Sequence, residues 1–390
     1  MNFKLNQIEQ ILTSSIQEHG VNQIIKMVLN CLMKLERKYF LKENKHWKSN
    51  KANGYRTTFT YGTGKKIQLK VPRDRLGHFY PVILALLRDQ EFEMQQIAFE
   101  LYSKGLSVRD VRDIFKNIYG KNYSKSSISN MNQEFKDIVN DWRKRPLEKH
   151  YPVLIIDALH SKIRRVDSIE NEATYTIIGL RDDKTRDILA IEHIPIESAG
   201  GWQEVFKQIK ARGVSSTSLI IADGLTGLDN AIAKEFPMAN FQKCVVHFKR
   251  NILRKVRAKH KTEITEDLRI VFDVTDKQYT YHKAKNNFKA FVKKWGKYYK
   301  SIKNMSTEIE LSYYFTYLNY DYRVRNMLYT TNWVENLNKQ FRRVLKIRNS
   351  MPTEESILLL IGKVAMDKVK KYLRYPIYNF KFDRKLFPNK

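Results

Sequence analysis

Two apolar runs that each end on an aspartate constrain this chain more than any other feature. Residues 153–165 read VLIIDALHSKIRR and residues 218–225 read SLIIADGL. Each drives a strand-length, β-branched run into a single carboxylate, Asp157 in the first and Asp223 in the second. Strands are predicted at 152–157, 173–180, 187–194 and 218–222, with helices from Trp202 to Ala211 and from Leu225 to Phe236. Three strands in succession followed by a helix–strand–helix alternation predict a mixed sheet flanked by helices. If the strands ending at Asp157 and Asp223 are neighbours, both carboxylates leave the sheet at one edge, where ligand sites form in open α/β sheets.

Two like charges held together raise each other's pKa unless a cation intervenes, so a divalent metal is their natural companion. A third carboxylate would complete such a set, and Glu335 in TTNWVENLNKQFRRVLKIR (330–348) is the best candidate. It opens a strongly helical segment, with Lys339, Arg342, Arg343 and Lys346 behind it at spacings that share its face. A helix-dipole role for Glu335, in front of a solvated basic face, is the competing reading of the same spacing.

The charge balance points to the partner. Lys and Arg number 71 against 41 Asp and Glu, a formal +30 spread along 390 residues. Such a field repels itself unless a polyanion neutralises it, which makes nucleic acid the expected ligand. No apolar run approaches the roughly 18 residues of a membrane span, and no signal-peptide pattern begins at Met1, so a cytoplasmic protein is expected. Cys31 and Cys244 are too few for a disulfide framework, and the 42% hydrophobic content suits a globular chain of about two or three domains.

Before residue 150 the periodicity changes several times. Ile8, Ile11, Leu12 and Ile16, then Ile24, Ile25, Val28, Leu29, Leu32 and Met33, recur at helical spacing on either side of Gly20. This pair of helices would pack within its own domain or dimerise. The alternation Tyr55, Thr57, Phe59, Tyr61, a GTG turn, then Ile67, Leu69 and Val71 predicts a β-hairpin, decorated by Arg56, Lys65, Lys66, Lys70, Arg73 and Arg75. From 92 to 140, a helix ends at Gly105, a second is capped by Ser107 with Asp110 three residues on, and a third opens at Ser124 or Ser126. That cadence fits a helix-turn-helix whose third helix would present Lys125, Ser127 and Asn130 to the major groove; three-helix units without a DNA role share it. Residues 248–330 are helical, aromatic and basic, with 19 Lys/Arg against 8 Asp/Glu, and interleave cations with Trp295, Tyr298 and Tyr299. They could grip DNA, although most of these aromatics are expected in a helical core.

The passage ADGLTGLDNAIAKEFPMANFQKCVVHFKRNI, preceded by IIDALHSKIR and followed by TTNWVENLN, resembles the Mutator-type family of bacterial insertion-sequence transposases. The likeness extends through NGYRTTFTYGTGKKIQLKVPRDRLGHFYP, KGLSVRDVRDIFKNIYG and GGWQEVFKQIKARG, and so spans most of the chain. It implies a ribonuclease H-like catalytic domain with a helical insertion before the last acid, and a DDE triad at Asp157, Asp223 and Glu335 holding two Mg²⁺ ions, with Mn²⁺ as a substitute. Cys244 and His247 match the family's C-x-x-H signature. By themselves they are half a zinc site, and a structural thiol and imidazole is the favoured reading. Trp202 matches a family tryptophan that either packs or stacks on a base. Where many relatives carry His-Lys after the second aspartate and glycine, this chain has Leu225 and Thr226.

The expected architecture is therefore an α/β ribonuclease H-like catalytic domain with a helical insertion, preceded by a helical and helix-turn-helix DNA-binding region with a β-hairpin. Its expected parts are N-terminal helices and basic hairpin (1–90), helix-turn-helix (91–147), first catalytic part (148–247), insertion (248–330), Glu helix (331–375) and tail (376–390). Lys162, Arg164, Lys339, Arg342 and Arg343 are the candidates for contacts to the DNA backbone. The expected function is Mg²⁺-dependent strand cleavage and strand transfer at terminal inverted repeats by a homodimer or larger assembly, in a bacterial cytoplasm at the nucleoid. A non-catalytic DNA-binding protein and a ribonuclease H-like nuclease or resolvase are the rivals.

Overall fold

The computed structural model describes residues 20–44, 49–61, 66–119, 125–194, 197–305 and 308–377. The first helical turns expected around Ile8 to Ile16 lie outside them. The chain divides into two compact units, Met1–Phe135 and Lys136–Lys390.

In the first unit, α1 (Gly20–Glu43) is followed by an antiparallel hairpin of β1 (Ala52–Tyr61) and β2 (Lys66–Asp74), then α2 (Val82–Ser103) and α3 (Val108–Tyr119). The period-2 pattern decides the hairpin's inner face: Ile67, Leu69 and Val71 are buried with Met33 of α1 and Leu84 of α2, while Tyr55 and Phe59 stay exposed. Glu36 of α1 accepts from the Val82 and Ile83 amides, which supplies the acceptors that the first turn of α2 lacks. The capping box expected at Ser107 is present, with Ser107 N donating to Asp110 Oδ2 (2.7 Å) and Asp110 N to Ser107 Oγ (3.2 Å). A fourth helix, α4 (Lys125–Lys144), follows.

The second unit is built on five strands in the order β5-β4-β3-β6-β7: β3 (His150–Arg164), β4 (Ile169–Leu180), β5 (Arg186–His193), β6 (Ser216–Ala222) and β7 (Asn240–Lys243). β3, β4 and β5 form an antiparallel meander; β6 and β7 run parallel to β3. Helix α5 (Ala199–Ala211) makes the crossover to β6, and α6 (Leu228–Glu235) leads to β7. Trp202, Phe206 and Ile209 of α5 and Leu228, Ala231 and Ile232 of α6 pack with Leu154, Ile156, Tyr175 and Ile177 of the sheet. At about 1.5–3 kcal/mol for each large side chain buried, this layer contributes substantially to stability.

Between Cys244 and Tyr329 the described elements are helices: α7 (Val245–Lys255), α8 (Lys261–Val271), α9 (Tyr281–Trp295), α10 (Lys300–Lys303), α11 (Glu308–Phe315) and α12 (Tyr322–Leu328). Their core is aromatic, with Phe272, Phe288, Phe291, Trp295, Phe315 and Tyr317 buried and Tyr298 exposed. The chain returns as α13 (Asn332–Lys346), which lies across β3 and β4, and α14 (Glu354–Lys368), which lies against β5. The architecture is mixed α/β and compatible with a ribonuclease H-like fold. Among the described residues no helix is long and apolar enough to cross a membrane.

Candidate active site

The two parallel ladders end in step. Ile156 pairs with Ala222 as the last residues of the β3–β6 ladder, and Ala222 pairs with Lys243 of β7. The residues that follow on the three strands are Asp157, Asp223 and Cys244, so both aspartates leave the sheet at the same edge. β3 itself continues to Arg164, paired only with β4, and the Met351 backbone closes on that extension through Arg164 N to Met351 O (2.9 Å) and Met351 N to Lys162 O (2.8 Å).

Glu335 reaches this edge from α13. The Val245 amide donates to the Tyr329 carbonyl (2.9 Å), and Cys244 Sγ lies 3.5 Å from Thr331 Oγ1, at the N-cap of α13. The buried thiol thus fixes where α13 starts, and Glu335 sits in the first turn after it. His247, one turn into α7, stands among the acids: its Nδ1 is 3.8 Å from Asp223 Oδ2 and its Nε2 3.7 Å from Glu335 Oε1. Arg250, one further turn on, holds Glu335 through both carboxylate oxygens (2.8 and 3.0 Å).

The two aspartates differ in environment. Asp157 is 5% exposed, and burial pushes it up to about 6, against the charge of His247 and the hydrogen bond from Asn338 that pull it down. The Asp223 side chain is 37% exposed and, besides facing His247, accepts from the Gly224 amide (2.8 Å). His247 is held protonated up to about 9 by Cys244, with Asp223 and Asp157 adding to the effect.

The oxygen donors at this edge suit a hard divalent ion such as Mg²⁺, and a cation there would relieve the buried charge of Asp157. As they stand, His247 and Arg250 provide the positive charge, and among the described residues no three His, Cys, Asp or Glu side chains are arranged to hold a metal ion.

Several residues at the edge carry no signal in a reading by periodicity. Arg250 and Glu197 are the chief ones. Glu197 accepts from the buried Tyr175 hydroxyl and from the Thr226 amide (3.1 Å), tying the loop after Asp223 to β4. In that loop Gly227 has φ +74°, and a Cβ there would come within 2.4 Å of the Ala199 nitrogen. Asn338 lay in plain view three residues after Glu335, where the helical period puts it on the same side; only the position of β3 shows what it meets.

Trp202 is fully buried and packs edge-on against Tyr175, with ring centroids 4.8 Å apart. Lys162 and Arg164 are exposed on the extension of β3, and Lys339, Arg342 and Arg343 on the outer side of α13, whereas Glu335 is half-buried. Lys125, Ser127 and Asn130 fall within the backbone of α4, and their side chains lie outside the description.

The sequence model of the family described as "Transposase, Mutator family" matches residues 1–374. The chain is 31% identical over 370 residues to the transposase for insertion sequence element IS256 in transposon Tn4001 of Staphylococcus aureus, covering 93% of this chain and 94% of that protein. It is also 31% identical over 301 residues to the transposase for insertion sequence element IS1201 of Lactobacillus helveticus (77% and 80% covered). Over 371 residues it is 28% identical to the transposase for insertion sequence element ISRM5 of Rhizobium meliloti (94% and 91%).

Proposed function

The chain belongs to the Mutator family of transposases, and from that premise we propose that it is the DNA transposase of an insertion sequence, cutting and joining DNA at an acid triad of Asp157, Asp223 and Glu335. One observation supports this above the others: Asp223 and Glu335, far apart in sequence, both come within 4 Å of the His247 imidazole, whose charge also acts on Asp157 at the end of the parallel ladder. Asp157 and Asp223 would hold Mg²⁺ or Mn²⁺, with Glu335 completing the site. Metal bound there supplies activation of an attacking oxygen and stabilisation of the leaving one in phosphodiester chemistry.

The protein's own groups do the rest. Water attacks in the cutting step and a 3'-hydroxyl in the joining step. Both attacks are in line at phosphorus, so one site serves both. Arg250 is half-exposed and doubly bonded to Glu335; moving to a DNA phosphate would free that carboxylate. Lys162, Arg164, Lys339, Arg342 and Arg343 would neutralise backbone phosphates, and residues before about 150, including Lys125, Ser127 and Asn130 of α4, would recognise terminal inverted repeats. Helices α7–α12 would act as an insertion against DNA, and pairing two element ends requires at least a homodimer.

The test incubates the full chain with labelled element ends, target DNA and Mg²⁺. Joined products are expected. Cleavage without joining would instead indicate a nuclease or resolvase, and retention without either a non-catalytic DNA-binding protein. Asp223→Asn should abolish both steps and spare DNA retention; a variant that still cut would overturn the triad.

A further inference from the structure

Asn338 is fully buried on α13, and its Nδ2 donates to Asp157 Oδ2 at 2.9 Å and approaches the Ala158 carbonyl at 3.5 Å. It is therefore the direct link between the helix that carries Glu335 and the strand that carries Asp157. Its Oδ1 is buried with no hydrogen-bond partner. A second orphan lies close by: Thr176, directly opposite Asp157 in the β3–β4 ladder and fully buried, has an unpartnered Oγ1. Residues opposite each other in such a pair have Cβ atoms about 4.5–5.5 Å apart, so Thr176 and Asp157 are side-chain neighbours on one face of the sheet.

Each unpaired buried polar group costs about 1–3 kcal/mol, and an apolar side chain of similar volume would avoid that cost at either position. Stability alone does not account for the pair. Both belong to residues that neighbour the one carboxylate of the site that is deeply buried, and both are hard donors of the kind that a hydrated divalent cation or its water ligands engage.

We propose that Asn338 is a positioning residue for Asp157: its amide N–H aims the carboxylate, and its unpaired oxygen lines, with Thr176, the space that a divalent cation and its waters take. This rests on the acid-triad function proposed above. It adds that the first and third acids are set relative to each other by one buried carboxamide.

The test uses the full chain and Mn²⁺ alone, with free Mn²⁺ measured by electron paramagnetic resonance in the absence of DNA. Asn338→Ala should weaken Mn²⁺ binding about 10- to 100-fold, the usual effect of removing an outer partner of a metal ligand. Asn338→Asp, which keeps the shape and an oxygen but loses the donor, should bind element ends as the parent does and cut them about 10- to 100-fold more slowly; it also serves if the alanine variant does not fold. In an Asp157→Asn background, Asn338→Ala should weaken Mn²⁺ no further, because the residue acts through Asp157.

Parental Mn²⁺ affinity in Asn338→Ala, parental cutting in Asn338→Asp, or additive losses in the double variant would overturn the positioning role while leaving the triad standing. An Asp157→Asn protein with unchanged Mn²⁺ affinity and unchanged cutting would overturn both.

Discussion

On the face covered by α5 and α6, β3 and β4 present Leu154, Ile156, Tyr175 and Ile177 to a continuous apolar layer. On the face under α13 the same two strands, one residue out of phase, present Asp157, Ser161, Thr174 and Thr176, all buried. The hydroxyls of Ser161, Thr174 and Thr176 have no hydrogen-bond partner there. Both faces bury apolar side chains, Val153, Ile155, Leu159, Ile178 and Leu180 among them on the second, but that second face also holds polar groups without partners, where they cost stability. Asp157 therefore projects from a strand whose other face is packed against α5 and α6.

The largest effect that would sharpen this contrast is on the apolar face. Ile177→Ala should lower unfolding free energy by about 2–5 kcal/mol in a denaturant titration. A cost below about 1 kcal/mol would break the claim that this layer contributes substantially to stability.

Next comes the charge on the polar face. With Asp157 raised to about 6 in the folded protein, the native state keeps a proton that the unfolded chain releases near pH 4. Stability of the metal-free protein should therefore fall as pH rises from about 4 to about 6, and stay lower by about 3 kcal/mol at neutral pH. Asp157→Asn should remove that slope; parallel curves for the two proteins would refute the buried-charge account. His247 acts in a separate window. With its folded value raised to about 9, its stabilising contribution is complete below about pH 6.5 and is lost as pH rises through 9.

A smaller effect should have the opposite sign from the first. Thr176→Val removes an unpartnered hydroxyl at nearly constant shape and should raise stability by about 1 kcal/mol, read by thermal unfolding. A loss would mean that the hydroxyl is satisfied, and the two faces would then differ less than their hydrogen bonding indicates.

The smallest change lies outside both faces. Arg342→Ala, on the exposed side of α13, should leave stability within about 0.5 kcal/mol. If Arg342 neutralises a phosphate, the slope of DNA affinity against salt should drop by about 0.9; an unchanged slope would remove it from the interface.

Much of this was legible beforehand. The strands ending at Asp157 and Asp223 were readable from their apolar runs, and the in-step exit of both acids needed only that β3 and β6 be neighbours. The Ser107–Asp110 cap and the hairpin with its buried Ile67, Leu69 and Val71 were equally local. β3 proved longer than its apolar run, reaching Arg164, because pairing with β4 and Met351 supports residues whose alternation His160, Lys162 and Arg164 looks merely polar. Arg250 looked like one basic residue among many, yet it is the partner of Glu335.

What the sequence determined by itself is the set of properties that one element carries alone: which residues alternate, which helix is capped, where strands stop, and how positive the chain is. These depend on neighbours a few positions apart. The tertiary structure alone decided that Asn338 meets Asp157, that His247 stands between Asp223 and Glu335, and that Thr176 is left without a partner. Such contacts join segments far apart along the chain, and their geometry depends on how whole helices seat on the sheet, for which no single segment holds a local signature.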